Sequence, residues 1–167
     1  MMKKTMIMVV AAVLLLSMQA VAGERLTLED ITSGGFRGES MAAVQALADG
    51  ESYAQLSDDG RRIEKYSFQT GKLSGTLFNA DETKGDTLAG IDGYIMSSDG
   101  KRMLIQTNTK RIYRHSFTAT FYIYNIGTRE MTQLSKNGPQ QTPLFSPDGS
   151  QIAFVRDNNI YLVKLLY

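Results

Sequence analysis

A turn motif that recurs at a spacing of about fifty residues most constrains how this chain can fold. It ends in Asp-Gly and occupies residues 47–50, 97–100 and 146–149 (LADG, SSDG and SPDG). Asp-Gly favours a tight hairpin, because glycine tolerates positive φ and aspartate can bond its own backbone. An alternating apolar stretch follows each copy, as a half-buried strand would. The chain is therefore predicted to consist of repeated hairpin units.

A fourth Asp-Gly turn, at residues 57–60 (SDDG), offers a different register for the repeat. We reject it because the interval from Gly60 to the next turn glycine, Gly71, is too short for two strands and a hairpin. The interval from Gly50 to Gly71 is long enough for two strands and a hairpin. The corresponding interval in the second unit, from Gly100 to Gly127, fits with an insertion of about six residues.

The repeat predicts an all-β fold, an incomplete β-propeller of about two and a half four-stranded antiparallel blades. Four short strands in a unit of 40–50 residues are typical of a propeller blade. The blades are expected near 43–80, 90–135 and 140–167. The predicted strands are 43–47, 52–56, 62–68, 73–78, 91–96, 102–107, 119–125, 130–134, 142–145, 151–156 and 159–164. Because closure takes about 4–8 blades, we interpret the chain as the N-terminal part of a longer protein.

Residues 1–22 are predicted to be an export signal. Lys3 and Lys4 precede an uncharged apolar run over 6–16, and small residues at 20–22 suit cleavage after Ala22. The alternative is a retained anchor, but the run is short for a bilayer, which takes about 20 residues. The protein is therefore expected to be exported, to a periplasmic or extracellular location. A lead-in segment, 23–42, follows, with a capped helical turn over 27–30.

Composition narrows the kinds of site that the chain can build. It has no cysteine and one histidine, His115, so disulfides, thiolate metal sites and multi-histidine zinc sites are excluded. No cofactor or metal is predicted. The acidic residues Asp81, Glu82 and Asp86 lack the oxygen spacing of a calcium loop. We interpret them as part of a solvated loop between blades.

A run of cations in the second unit invites a nucleic-acid interpretation. It comprises Lys101, Arg102, Lys110, Arg111 and Arg114. The whole chain has a formal net charge of only +1, which falls when the two signal lysines are removed. We therefore expect solvated strands and a polar insertion here, and no nucleic-acid partner.

Residues 111–124 (RIYRHSFTATFYIY) resemble the Arg-His-Ser segment of the dipeptidyl peptidase IV family. The third unit, 145–163, and the opening segment, 26–37, are also similar to that family. The resemblance covers about residues 24–167. The Ser-Pro-Asp-Gly turn is common to many propellers, whereas the Tyr-Arg-His-Ser run is far more specific.

The resemblance implies a serine exopeptidase that removes dipeptides from peptide N-termini, with proline or alanine preferred in second place. An eight-bladed propeller caps a C-terminal α/β-hydrolase domain in that family, and homodimers are possible. The family's triad lies in the hydrolase domain, and a glutamate pair later in the propeller binds the substrate amine. Neither a Gly-x-Ser-x-Gly motif nor a Glu-Glu pair occurs in this sequence. The chain alone is therefore expected to be inactive.

Only the substrate-binding arginine of the family carries over, onto Arg114. We expect it in the six-residue insertion, between a strand ending near Thr107 and one starting near Ala119. The alternative is that Arg114 pairs with a carboxylate and only orders this loop. His115 is expected to be structural, with a hydrogen bond to the backbone. For the whole chain, the alternative is a non-catalytic exported propeller that binds a protein or peptide.

Overall fold

The computed structural model describes residues 26–35, 38 and 43–165, so the predicted export signal and much of the lead-in segment lie outside it. The chain divides into two compact units, 1–40 and 41–167. The first contains helix α1 (Leu28–Thr32), which Thr27 caps: its side chain accepts from the Asp30 amide, and Asp30 accepts the Thr27 amide at 2.9 Å. This confirms the predicted capped turn. No helix in the described ranges is long and apolar enough to cross a membrane.

The first sheet of the second unit is a four-stranded antiparallel meander. Its strands are β1 (Val44–Ala46), β2 (Ser52–Leu56), β3 (Arg62–Ser67) and β4 (Leu73–Asn79). They lie in sequence order, each paired with the next. All four predicted strands of the first repeat are present, since the alternation of apolar and polar residues matches the pleat of a sheet with one buried face.

The second sheet has five strands, one more than predicted. They are β5 (Lys84–Gly85), β6 (Gly93–Met96), β7 (Arg102–Arg111), β8 (Phe117–Asn125) and β9 (Glu130–Gln133), in the order β5-β9-β8-β7-β6. The extra strand, β5, is parallel to β9 and lies in the stretch interpreted as a loop. Two backbone hydrogen bonds hold β5 against β9: the Lys84 amide donates to the Arg129 carbonyl at 2.8 Å, and the Asp86 amide donates to the Met131 carbonyl at 3.2 Å.

The third sheet contains the last three strands, β10 (Gln141–Phe145), β11 (Gln151–Arg156) and β12 (Asn159–Lys164), in antiparallel sequence order. A register irregularity interrupts the pairing of β10 with β11 between Gln141 and Leu144. The three predicted strands of the third repeat are therefore confirmed.

The core lies in two layers on either side of the second sheet. Towards the first sheet, Met103 and Tyr124 pack with Ile63 and Phe78, and the rings of Phe78 and Tyr124 meet edge to face at 5.0 Å. Towards the third sheet, the buried residues are Leu104, Ala119, Phe121, Leu134, Ile152 and Phe154. Alternate residues along the strands of the second sheet therefore pack against the first sheet and against the third sheet. Sheets stacked in this way are β-propeller blades, which confirms the predicted fold class.

The Asp-Gly turns share one backbone geometry. In each, the glycine amide donates to the carbonyl three residues earlier, at 2.9–3.1 Å, and the glycine has a positive φ of 64–70°. The turn at 57–60 has this geometry too, but it joins the second and third strands of the first sheet, β2 and β3, whereas the turn at 47–50 joins β1 to β2. Turns of successive blades also touch, since the Ser98 hydroxyl donates to the Pro147 carbonyl at 2.7 Å. The repeated turns thus help to set the spacing of blades.

Candidate functional site

The hairpin formed by β7 and β8 carries the predicted substrate-binding residue. The insertion that was expected to be a loop mainly lengthens the two strands: β7 continues to Arg111 and β8 starts at Phe117. Pairing resumes after a bulge, with Lys110 opposite Thr118. The predicted strand ends near residues 107 and 119 are therefore wrong, because cross-strand pairing continues through the polar stretch. The connecting loop is only 112–116.

The loop at the tip of this hairpin exposes Arg114 and His115. It is closed by the Ser116 carbonyl, which accepts hydrogen bonds from the Ile112 amide at 2.9 Å and the Tyr113 amide at 3.2 Å. Residues 111–116 are all exposed. Across the part of the chain that the structure describes, neither Arg114 nor His115 makes a hydrogen bond or an ion pair. The backbone bond expected for His115, and the carboxylate partner considered for Arg114, are not found there.

The base of the hairpin is a β-bulge between Thr107 and Lys110. Asn108 there has a positive φ of 55°. The Thr109 amide donates to Asp92 Oδ2 at 2.8 Å, and Gln106 Nε2 donates to the Thr109 hydroxyl at 2.8 Å. The bulge therefore redirects the hairpin and is held by side chains from β7 and from the segment before β6.

A cavity of about 460 Å³ lies alongside this hairpin. Its lining residues are Asp92, Gln106, Thr109, Arg111, Tyr113, Arg114, His115, Ser116 and Phe117. Two guanidinium groups and one carboxylate are among them. Such a lining can bind the carbonyl or carboxylate oxygens of a short peptide through charged donors.

A second cavity, of about 540 Å³, lies where β1, β2 and β6 meet. Its lining includes Val44, Leu56 and Tyr94, and it shares Asp92 with the first cavity. The Tyr94 hydroxyl is buried and has no hydrogen-bond partner among the described residues. Burial raises the pKa of Tyr94 to about 12.

The cations noted in the sequence do not form one patch. Arg102 lies at the blade turns, where it donates to the Gly149 carbonyl at 3.5 Å. Arg111 and Arg114 lie at the far end of the hairpin. Strand direction separates these groups, although they are close in sequence.

The acidic residues considered for calcium each have another contact. Asp81 pairs with Arg61, and Glu82 pairs with Arg129. Asp86 Oδ2 accepts the Gln133 amide at 3.0 Å. No group of three or more potential metal ligands occurs within the described ranges. These carboxylates fasten the segment between the first two sheets.

Sequence analysis missed Asp92. Its Asp-Gly dipeptide resembles another turn, and its partner Thr109 is 17 residues away. The one signal that could have suggested the contact between Asp92 and Thr109 is that Asp92 comes just before β6, which pairs with β7 next to the insertion. The Arg-His-Ser run, by contrast, lies within the loop that connects β7 to β8.

Comparison with known proteins places this hairpin in a matched segment. Residues 97–167 match the family model described as "Dipeptidyl peptidase IV (DPP IV) N-terminal region". The chain is 34% identical to "Probable dipeptidyl-aminopeptidase B" of Emericella nidulans, over 86% of this chain and 17% of that protein. It is 31% identical to human "Prolyl endopeptidase FAP", over 82% of this chain and 17% of that protein.

A solved structure shows the same relationship. The chain superposes on the crystal structure of Porphyromonas gingivalis dipeptidyl peptidase 4 with a TM-score of 0.77 and 36% identity, over 84% of this chain and 20% of that one. The chain thus spans about a fifth or less of the length of these relatives. The matches are to the region that includes the Arg114 hairpin. The chain belongs to the dipeptidyl peptidase IV family and corresponds to part of its N-terminal region.

Proposed function

We propose that this chain forms part of the substrate-access region of an exported dipeptidyl peptidase IV-like serine exopeptidase, in which Arg114 binds a carbonyl of the substrate. The proposal rests on the exposure of Arg114 and on its lack of an ionic partner among the described residues. Arg114 lies at the tip of the β7–β8 hairpin and lines a polar cavity. It also lies within the segment matched to the family.

The chemistry of arginine suits this task. Its planar guanidinium keeps its charge at all physiological pH values and offers several donors in a fixed geometry. A peptide carbonyl can accept from two of them at once. Because no described carboxylate occupies these donors, none has to be displaced when the substrate arrives. The hairpin carries Arg114 at its exposed tip, beside the cavity in which the peptide would lie.

The bond-breaking step belongs elsewhere in the proposed enzyme. The sequence contains no Gly-x-Ser-x-Gly nucleophile motif. We therefore assign the nucleophile to a C-terminal α/β-hydrolase domain, with this chain as its partner in binding peptide N-termini. The proposal places the enzyme in the periplasm or outside the cell and allows a homodimer.

The test compares Arg114→Ala with Arg111→Ala in a complete enzyme that carries this region. A hydrogen bond from a charged donor is worth about 1.5–3 kcal/mol. Arg114→Ala should therefore lower kcat/KM on a dipeptide amide by roughly 10- to 150-fold. Arg111→Ala is a matched control, because Arg111 is also exposed and lines the same cavity. It should change kcat/KM little.

Two results would overturn the role of Arg114. One is an equal loss of kcat/KM in both variants, which would point to the net charge of the hairpin. The other is a loss in Arg114→Ala that a lower Tm explains, which would make the residue structural.

A further inference from the structure

We infer that Asp92 is a positioning residue for Arg114: its carboxylate holds the base of the β7–β8 hairpin and so sets the direction in which the tip projects. The consequence for substrate rests on the function proposed for Arg114. The mechanical part, in which Asp92 orders the hairpin, rests on geometry alone.

The far half of the hairpin has few neighbours to hold it. β6 pairs with β7 only up to Gln106. On the other side, β9 pairs with β8 from Tyr122 onward. Beyond these points the two strands pair with each other, apart from contacts at Phe121 and Ala119. Phe121 accepts the Leu134 amide and donates to Gln140 Oε1, and Ala119 forms a bridge with Gln140. A two-stranded hairpin by itself is marginally stable, so its direction depends on contacts at its base.

The bulge at that base creates a backbone donor outside the strand ladder. Residues 108 and 109 both lie opposite Ala119, and Thr109 has no partner in the register of β8. Asp92 Oδ2 accepts its amide at 2.8 Å. A hydrogen bond to an ionised acceptor is about twice as strong as one between neutral groups. The carboxylate thus satisfies the donor that the bulge sets free.

Asp92 is itself fixed to the strand that it holds. Its amide donates to the Gln106 carbonyl at 2.8 Å, which extends the ladder between β6 and β7 by one bond. The side chain of Gln106 also contacts Thr109, because its Nε2 donates to the Thr109 hydroxyl at 2.8 Å. Asp92, Gln106 and Thr109 therefore form a closed clamp around the bulge.

The clamp leaves the guanidinium free. Asp92 is the one carboxylate among the residues that line the cavity, yet it makes no ion pair with Arg114 or Arg111 within the described residues. It therefore acts on Arg114 through the backbone of the hairpin. This distinguishes it from a counter-ion, which would compete with the substrate carbonyl for the same donors.

The mechanical part is tested by amide hydrogen exchange on the full chain. Asp92→Ala should raise the exchange rate of the Thr109 amide by about 10-fold or more, with smaller increases over 108–118. Asp92→Asn keeps an oxygen acceptor and should restore most of the protection. Asp86→Ala is the matched control, because Asp86 accepts the Gln133 amide in the same sheet. It should affect β9 and leave Thr109 protected.

Unchanged exchange at Thr109 in Asp92→Ala would overturn the inference. So would global loss of protection in both Asp92→Ala and Asp92→Asn, because the role would then not be confined to the hairpin.

The functional part is tested by a double-mutant cycle in a complete enzyme that carries this region. If Asp92 acts through Arg114, Asp92→Ala should lower kcat/KM in the wild-type background by several-fold. It should have no further effect in Arg114→Ala. Additive losses would overturn the positioning role, since a merely structural defect adds to any other. If Arg114→Ala alone has no effect while Thr109 exchange still responds to Asp92, the proposed function fails and the clamp stands.

Discussion

In three of the four Asp-Gly turns, the aspartate accepts a hydrogen bond from the serine hydroxyl two residues earlier. The exception is the turn at 47–50, where the Lys65 ammonium donates to Asp49 instead. Ser146 donates to Asp148 Oδ1 at 2.5 Å, and Ser97 donates to Asp99 at 2.6 Å. The Ser146 hydroxyl, followed by the amide and hydroxyl of Ser150, lowers the pKa of Asp148 to about 2. The same hydroxyl contact, with a backbone amide, lowers the pKa of Asp99. These carboxylates therefore stabilise the turns in their ionised form.

The lowered pKa of Asp148 predicts a stabilising contribution that acid removes. The carboxyl is ionised more readily in the folded chain than in the unfolded one, whose pKa is about 3.9. The contribution is complete above about pH 4 and is lost as the pH falls towards 2. Asp148→Asn, which has no charge, should have a lower Tm than wild type at pH 6. The difference should shrink between pH 4 and pH 2 in thermal melts.

Asp58→Asn provides the control for that measurement. Asp58 lies in the turn at 57–60, and its carboxylate makes no hydrogen bond or ion pair within the described residues. Its substitution should leave Tm almost unchanged across the same range. If the difference in Tm between wild type and Asp148→Asn stayed constant from pH 4 to pH 2, the ionised Asp148 carboxylate would not be what stabilises the turn.

Among the elements, β5 depends on the close approach of one glycine. Gly85 has a positive φ of 95°, and a Cβ added there would lie 2.6 Å from the Met131 carbonyl oxygen. Real Cβ atoms do not come so close to a backbone oxygen. The parallel pairing of β5 with β9 therefore requires glycine at this position.

Gly85→Ala should destabilise the chain more than Gly71→Ala. Gly71 also has positive φ, 64°, but nothing lies within 4 Å of its added Cβ. Backbone strain should cost each variant about 1–2 kcal/mol. The clash should cost Gly85→Ala roughly 1–3 kcal/mol more. Urea denaturation measures both losses, and equal losses would show that β5 moves aside at little cost.

The molecule as a whole presents an apolar face on its third sheet. Strand register places Leu144, Ala153 and Leu162 in one row. Leu144 and Leu162 are each 64% exposed, and Ile160, on the same face, is 77% exposed. The opposite face packs on the second sheet. In a propeller such a face packs against the next blade, so by itself it favours association.

The purified chain without residues 1–22 should therefore self-associate. Leu162→Lys places a charge in the middle of the apolar row and should shift the chain towards monomer in sedimentation velocity. Tyr113→Lys is the control, since Tyr113 is 79% exposed but lies on the hairpin tip. A wild-type chain that is monomeric with one cooperative melt would contradict this expectation, as would equal effects of the two variants.

The same purified chain should not hydrolyse a Gly-Pro chromogenic amide. The sequence contains the substrate-binding arginine of the proposal but no nucleophile motif. Arg114 can bind a peptide carbonyl, but it cannot attack the scissile bond. Turnover that a serine-directed inhibitor abolishes would show that a nucleophile in this chain had been overlooked.

Local patterns in the sequence were enough to predict the fold class, eleven of the twelve strands found in the described residues, and the place of Arg114 in the insertion between β7 and β8. Alternation and turn residues are each contained within a short segment and report on the backbone of that segment alone. The Arg-His-Ser run pointed to a role for Arg114 only through its resemblance to a family.

Tertiary structure alone decided how β5 pairs, how far the hairpin extends and what holds its base. β5 has only two residues, Lys84 and Gly85, and its bonds go to a strand more than forty residues later. The clamp joins the Asp92 carboxylate to the Thr109 amide. Each of these contacts has a backbone group on at least one side, and backbone groups are the same in every residue. Their partners therefore become known only when the sheets are assembled, because the side-chain pattern carries no record of them.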